Sequence, residues 1–163
     1  MDMHPIRAED RRAWPARERR AGQTQAVMVL ALLCQFLLGM AVNLFVKIPE
    51  DHPGAKPPEY FDGVAQSVTW AIADGGVWLA AHAAFGLVLV LGAAFAVAQA
   101  ARSGSRAPLT TSIVGLVAVL GAGFNGGSYL NYGEDFSSMI MASLFAVATA
   151  SYAAGAYLTR PAE

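Results

Sequence analysis

Of the 163 residues, 55% are hydrophobic and only 14% charged, against about a quarter charged in soluble domains. The apolar residues come in long runs, not at amphipathic spacing, which excludes an ordinary soluble globule and points to a bilayer. The formal net charge of −1 hides an asymmetry: arginines crowd the first twenty residues and acids gather between Lys47 and Asp74, so no nucleic-acid partner is expected.

The opening segment, residues 1–25, carries Arg7, Arg11, Arg12, Arg17, Arg19 and Arg20 among few apolar residues. It reads as a mobile, Arg-rich cytoplasmic tail beside the membrane surface. A cleaved signal peptide fits poorly, because the apolar run that follows is longer than the 7–15 residues of a signal h-region and has no small-x-small site after it. That run, Ala26 to Val46, extends over roughly 31 Å at 1.5 Å per residue and gives the first span. The single cysteine, Cys34, lies inside it, so no intramolecular disulfide and no Cys-based metal motif can form.

A long connection follows. Its first half is broken by Pro49, Pro53, Pro57 and Pro58, and His52 beside Asp51 reads as a solvated loop residue. In its second half, from Glu59 to Ala73, Tyr60, Phe61, Val64, Val68, Ala71 and Ile72 fall near one helical face. The segment is expected either as a short amphipathic helix on the membrane surface or as a covering segment packed over the bundle mouth. Gly75 and Gly76 should make the bend into the next span.

The second span is 77–101, closed by Arg102 and Arg106. After Pro108 come a glycine-rich third span, 112–130, and a fourth, 136–158, ended by Arg160 and Pro161. The turn near Asn131 to Asp135 is short, so the last two spans form an antiparallel hairpin. The expected fold is therefore all-α: an integral membrane four-helix bundle over 26–160, with a short amphipathic helix in the first external loop. Basic residues set its orientation. Six lie in the tail and three are Arg102, Arg106 and Arg160, so nine of the eleven Lys and Arg flank one side. That places both termini in the cytoplasm of a multi-pass plasma-membrane protein.

Chemistry, if present, centres on His82, the lone histidine within a span, because ionisable groups in hydrocarbon usually face a bundle interior. It reads either as a neutral imidazole bonded to a neighbouring helix or as a haem, metal or quinone ligand. Depth along the spans sets Asn43, Asn125, Ser128 and Tyr129 in the same outer third, alongside Ser137 and Ser138, and Asn131 follows the glycines as an amide beside exposed backbone that could bind a ligand. The inner halves hold only scattered Ser, Thr, Tyr and Gln. Together these residues suggest an outward-facing polar pocket around His82, or a hydrogen-bonded network that only holds the helices together. Gly123 and Gly127 stand in GxxxG spacing, and Ser151 and Gly155 give a similar face; both patterns usually mean close helix packing.

The segments Asn43-Leu-Phe-Val-Lys-Ile-Pro-Glu-Asp-His-Pro-Gly54, Leu79-Ala-Ala-His-Ala-Ala-Phe-Gly86 and Phe124-Asn-Gly-Gly-Ser-Tyr-Leu-Asn131 together resemble a family of small four-helix membrane proteins of high-GC actinobacteria. The resemblance implies topology and no activity. His82 followed four residues later by Gly86 is also similar to the haem-binding helices of four-helix b-type cytochrome membrane proteins, which implies haem b as a cofactor. Such families place two histidines across the bundle. Here a methionine, a water or a second subunit would have to supply the other axial ligand. No Ser/His/Asp, paired-carboxylate or HExxH arrangement appears. The leading expectation is a non-enzymatic structural or accessory subunit, alone as a homo-oligomer or within a larger membrane complex. The alternative is a redox protein that binds haem or a quinone through His82.

Overall fold

The computed structural model describes residues 8–159, with side chains from residue 16 onward. The closing Arg160-Pro161 pair and the tail residues before Ala8 lie outside the described residues. Five helices account for nearly all of it: α1 (Ala8–Phe45), α2 (Tyr60–Ala73), α3 (Gly76–Ser103), α4 (Arg106–Tyr132) and α5 (Asp135–Leu158). Four of them are long and apolar enough to cross a membrane, α1 through its stretch Ala16–Phe45, and the chain is an all-helical, multi-pass membrane protein. The helix expected from Ala26 begins at Ala8 instead. Its added turns are rich in Ala, Arg and Glu, which are strong helix formers, so the backbone hydrogen-bond ladder continues into the arginine-rich segment.

The long helices pack in the cyclic order α1, α3, α4, α5, and α1 also meets α4 across one diagonal. Along the other diagonal, α3 and α5 make no close backbone approach among the described residues. Sequence order alone does not give this ring, because α1 closes it on α5. The centre is filled by Met28, Leu32, Leu89, Ala93, Ala96, Ala118, Val119, Ala148 and Tyr152. Gly115 lets Tyr152 in: a Cβ there would lie 2.6 Å from a ring carbon. The outward faces carry exposed leucines such as Leu37 (66%) and Leu91 (72%), an arrangement suited to lipid and unsuited to water.

The turns are short because glycines end the helices. Gly104 and Gly133 adopt the left-handed conformation (φ 72° and 69°) after α3 and α4, and their N–H groups donate to Ala101 O and Tyr129 O. Gly76, at φ 79°, makes the expected bend between α2 and α3.

The short helix α2 starts on Glu59, whose carboxylate accepts from Asp62 N–H at 2.8 Å. It packs across the ends of α3 and α4, so the covering arrangement is the one realised. The face it buries is not the large apolar one. Gly63, Ser67 and Ala71 are buried, while Phe61 and Ile72 remain exposed. Four-residue spacing of small side chains lets the two backbones approach, and the larger residues are left at the rim. Gly127 completes that approach from α4, with a hypothetical Cβ 3.0 Å from Val64. Its GxxxG partner Gly123 has open space around it. The motif thus seats α2 and does not join two spans.

Candidate functional site

At the α2 end, the segment between α1 and α2 is folded onto the C-terminus of α4. A turn spans His52-Pro53-Gly54-Ala55, with Ala55 N–H donating to His52 O at 3.0 Å and Gly54 at φ 89°. Proline second and glycine third is the pattern of a type II turn. The turn carries His52 beneath Trp70 of α2, their rings 4.4 Å apart and nearly parallel at 14°. The expectation of a solvated His52 does not hold: it is 8% exposed. Its Nε2 lies 3.0 Å from Leu130 O and its Nδ1 2.9 Å from Pro53 O.

Asn131 sits at the centre of the contact, 1% exposed. Its carbonyl accepts from Lys56 N–H at 2.8 Å. With donors set against acceptors, its amide nitrogen donates to Gly54 O and Gly63 O, both 3.2 Å, and to Ser67 Oγ at 2.8 Å. The opposite flip would turn the amide oxygen toward both carbonyls, so this orientation is the physically consistent one. Nearby, Tyr60 donates its hydroxyl to Phe124 O at 2.9 Å and shares a hydrogen bond with Ser128 Oγ at 3.0 Å. Two of the last carbonyls of α4, which helix geometry leaves without partners, thus meet the loop: Leu130 O at His52 and Asn131 O at Lys56 N–H.

His82 is elsewhere, on the face where α3 meets α1. Gln35 donates from Nε2 to His82 O at 3.1 Å and lies 3.4 Å from His82 Nε2. Gly39 makes room for the ring, with a hypothetical Cβ 3.1 Å from its Cε1. His82 Nδ1 and Gln35 Oε1 are both buried and have no hydrogen-bond partner within the protein. The ring rests against α1 at Gly39.

His82 and the five candidate ligand residues Asn43, Asn125, Ser128, Tyr129 and Asn131 therefore do not share one pocket. Ser128 and Asn131 are engaged by α2 and its loop. Asn125 donates to Gly121 O of its own helix at 2.8 Å, Asn43 is exposed, and Tyr129 is half-buried. Sequence reasoning passed over Gln35 and Ser67, and it read His52 as solvated and Tyr60 as part of an apolar helical face. The Pro53-Gly54 pair is the signal that could have placed His52 on a fixed turn. A shallow groove of about 370 Å³ runs outside α2, lined in part by Pro53, Trp70 and Asp74. Among the described residues, no group of three or more His, Cys, Asp or Glu converges.

A second polar cluster occupies the opposite end, where only scattered polar residues were expected. Gln25, fully buried, donates from Nε2 to Pro108 O and Ser112 Oγ, each at 2.8 Å, and accepts from Thr111 Oγ1 at 3.2 Å. Gly155 of α5 lies against it, where a Cβ would collide with Gln25 Oε1 and Thr111 Oγ1. One amide from the expected tail thus joins α1, α4 and α5. Comparison with protein-family models, curated proteins and solved structures gives no match.

Proposed function

We propose that this chain is a structural or accessory subunit of a larger membrane assembly, set in the plasma membrane with both termini in the cytoplasm and the α2 cap outside. The observation that carries the reading is the use of the polar residues at the α2 end. Asn131, Ser128, Ser67, Tyr60 and His52 bond to one another or to main chain, which builds a fixed surface in place of an open cleft. Exposed Phe45, Phe61 and Trp78 ring that surface, at the depth where aromatic residues meet headgroups or a neighbouring subunit. The orientation rests on arginine placement, with Arg17, Arg19, Arg20, Arg102 and Arg106 at the end away from α2. The test is native mass spectrometry of the protein extracted after crosslinking in its membrane. A defined assembly with other subunits is expected, and a lone monomer would contradict the reading.

One observation favours a second reading. The unpartnered His82 Nδ1 and Gln35 Oε1 offer a donor and an acceptor to a ligand carried in the bilayer, such as a quinone headgroup, or an axial nitrogen to haem b. Oxidised and dithionite-reduced spectra of the purified protein beside its His82→Ala variant decide it. A chromophore lost in the variant supports the reading, and identical featureless spectra remove its haem form. Quinone co-extracted with wild type and lost in the variant supports the quinone form.

A further inference from the structure

We propose that the arginines at the end away from α2 form a single layer that binds anionic phospholipid through its phosphate. The register of the helices brings them to one level. Against the antiparallel α3, Met28 of α1 lies opposite Gly92, Gln35 opposite Gly86 and Gly39 opposite His82, and the same register sets Glu18 opposite Arg102. Gln25 bonds Pro108 and Ser112 of α4, which sets Arg106 about level with Ala21. Arg17, Arg19, Arg20, Arg102 and Arg106 thus fall between the levels of residues 17 and 21 of α1, a layer about 6 Å thick at 1.5 Å per residue. The headgroup region adds about 5–8 Å on each side of the hydrocarbon, so the layer fits one row of headgroups.

All five arginines are exposed, and none has an ion-pair partner among the described residues. Glu18 is the one acid in the layer among those residues, so like charges face one another there until an anion is supplied. Both lysines lie at the α2 end, and every described cation in the layer is an arginine. A guanidinium grips two phosphate oxygens at once, which an ammonium does not. The surface that follows distinguishes a lipid from a free phosphate. Val27, Phe95 and Ile113 are exposed on α1, α3 and α4, within about two turns of the layer's inner edge, where acyl chains hanging from a bound phosphate would lie. The α2 end carries the opposite charge, with Glu50, Asp51, Glu59 and Asp62 around its two lysines, and would repel the same headgroup. In the orientation proposed above the layer meets the cytoplasmic leaflet, which is the anionic one; the binding chemistry is the same in either orientation.

The test is native mass spectrometry of the full chain in detergent micelles, with phosphatidylglycerol or phosphatidylcholine of identical acyl chains added. Wild type should prefer phosphatidylglycerol by about fivefold to twenty-fivefold, for one or two arginines at each phosphate. The variant combining Arg17→Gln, Arg19→Gln, Arg20→Gln, Arg102→Gln and Arg106→Gln, checked for unchanged helix content, should lose at least about fivefold of that preference. Equal binding of the two lipids by wild type, or an unchanged preference in the variant, would overturn the proposal. Displacement of bound phosphatidylglycerol by millimolar inorganic phosphate would mark a free-phosphate site and overturn the lipid assignment. Should the variant fail to fold, wild type crosslinked to phosphatidylglycerol with a photoreactive headgroup supplies the second reading. Label within residues 16–25 and 98–110 is the expected result, and label concentrated at the α2 end overturns it.

Discussion

Replacing Gly155 with alanine tests whether the Gln25 cluster is the bolt that holds α1 to α4 and α5. The added methyl would occupy the position of Gln25 Oε1, and α5 cannot retreat without opening the core at Tyr152. The amide must then leave its three partners on α4. At about 0.6 kcal/mol for each interhelical bond in a membrane, that loss is about 2 kcal/mol, and overpacking adds about 1–3 kcal/mol. Gly155→Ala should therefore cost about 3–5 kcal/mol and Gln25→Ala about 2 kcal/mol. Once the amide is gone the methyl has space, apart from a small shift of Thr111. The double variant should then be no worse than about 3 kcal/mol, a favourable coupling of about 2–4 kcal/mol between the sites. Unfolding in mixed micelles, followed by circular dichroism, measures all four corners of the cycle. Additive costs would refute the reasoning.

Three more outcomes follow from particular side chains. Tyr152→Phe should leave the fold equal or more stable by up to about 1–3 kcal/mol, because the fully buried hydroxyl has no partner within the protein; a loss above 1 kcal/mol in the same unfolding assay would point to a hidden acceptor. Asn131→Asp keeps the shape but, when ionised, turns an acceptor-only group toward Gly54 O and Gly63 O. Proteolysis of the 46–58 segment should accelerate at neutral pH by well over tenfold, for a cost of about 2–4 kcal/mol in lost and opposed hydrogen bonds, while the helix content of the bundle stays unchanged. Lys56 holds a left-handed φ of 49° just before Pro57, a conformation that a side chain opposes by about 1 kcal/mol; Lys56→Gly should thus slow that proteolysis, and a faster cleavage would show that the lysine side chain itself anchors the loop.

The spans were legible because hydropathy is a local property. Val77 to Ala101 could be read without knowing any neighbour, and its observed ends at Gly76 and Ser103 differ by only a turn. The bend at Gly75-Gly76 and the short helix before it were equally local. What escaped the sequence is pairwise. Gln25 sits beside arginines and reads as tail, and only the register of α1 against α4 brings it 2.8 Å from Pro108 O and Ser112. Asn131 was singled out for polarity, but its partners lie on a loop whose path depends on a type II turn at Pro53-Gly54. His52 followed the same turn from apparent solvent to a buried stack on Trp70. Depth along a helix placed His82 and Asn125 at similar heights, yet it does not give azimuth. One faces α1 and the other bonds its own helix.

The central claim is that the polar residues at the α2 end close a cap in place of lining a cleft. Its most direct test is thiol accessibility in a Cys34→Ala background, comparing Ser67→Cys with its neighbour Gln66→Cys. Ser67 is fully buried against Asn131, and Gln66 is exposed. A water-soluble maleimide should modify the Gln66→Cys protein at once and leave the Ser67→Cys protein untouched until it is unfolded. Equal modification rates at the two positions in the folded protein would contradict the account.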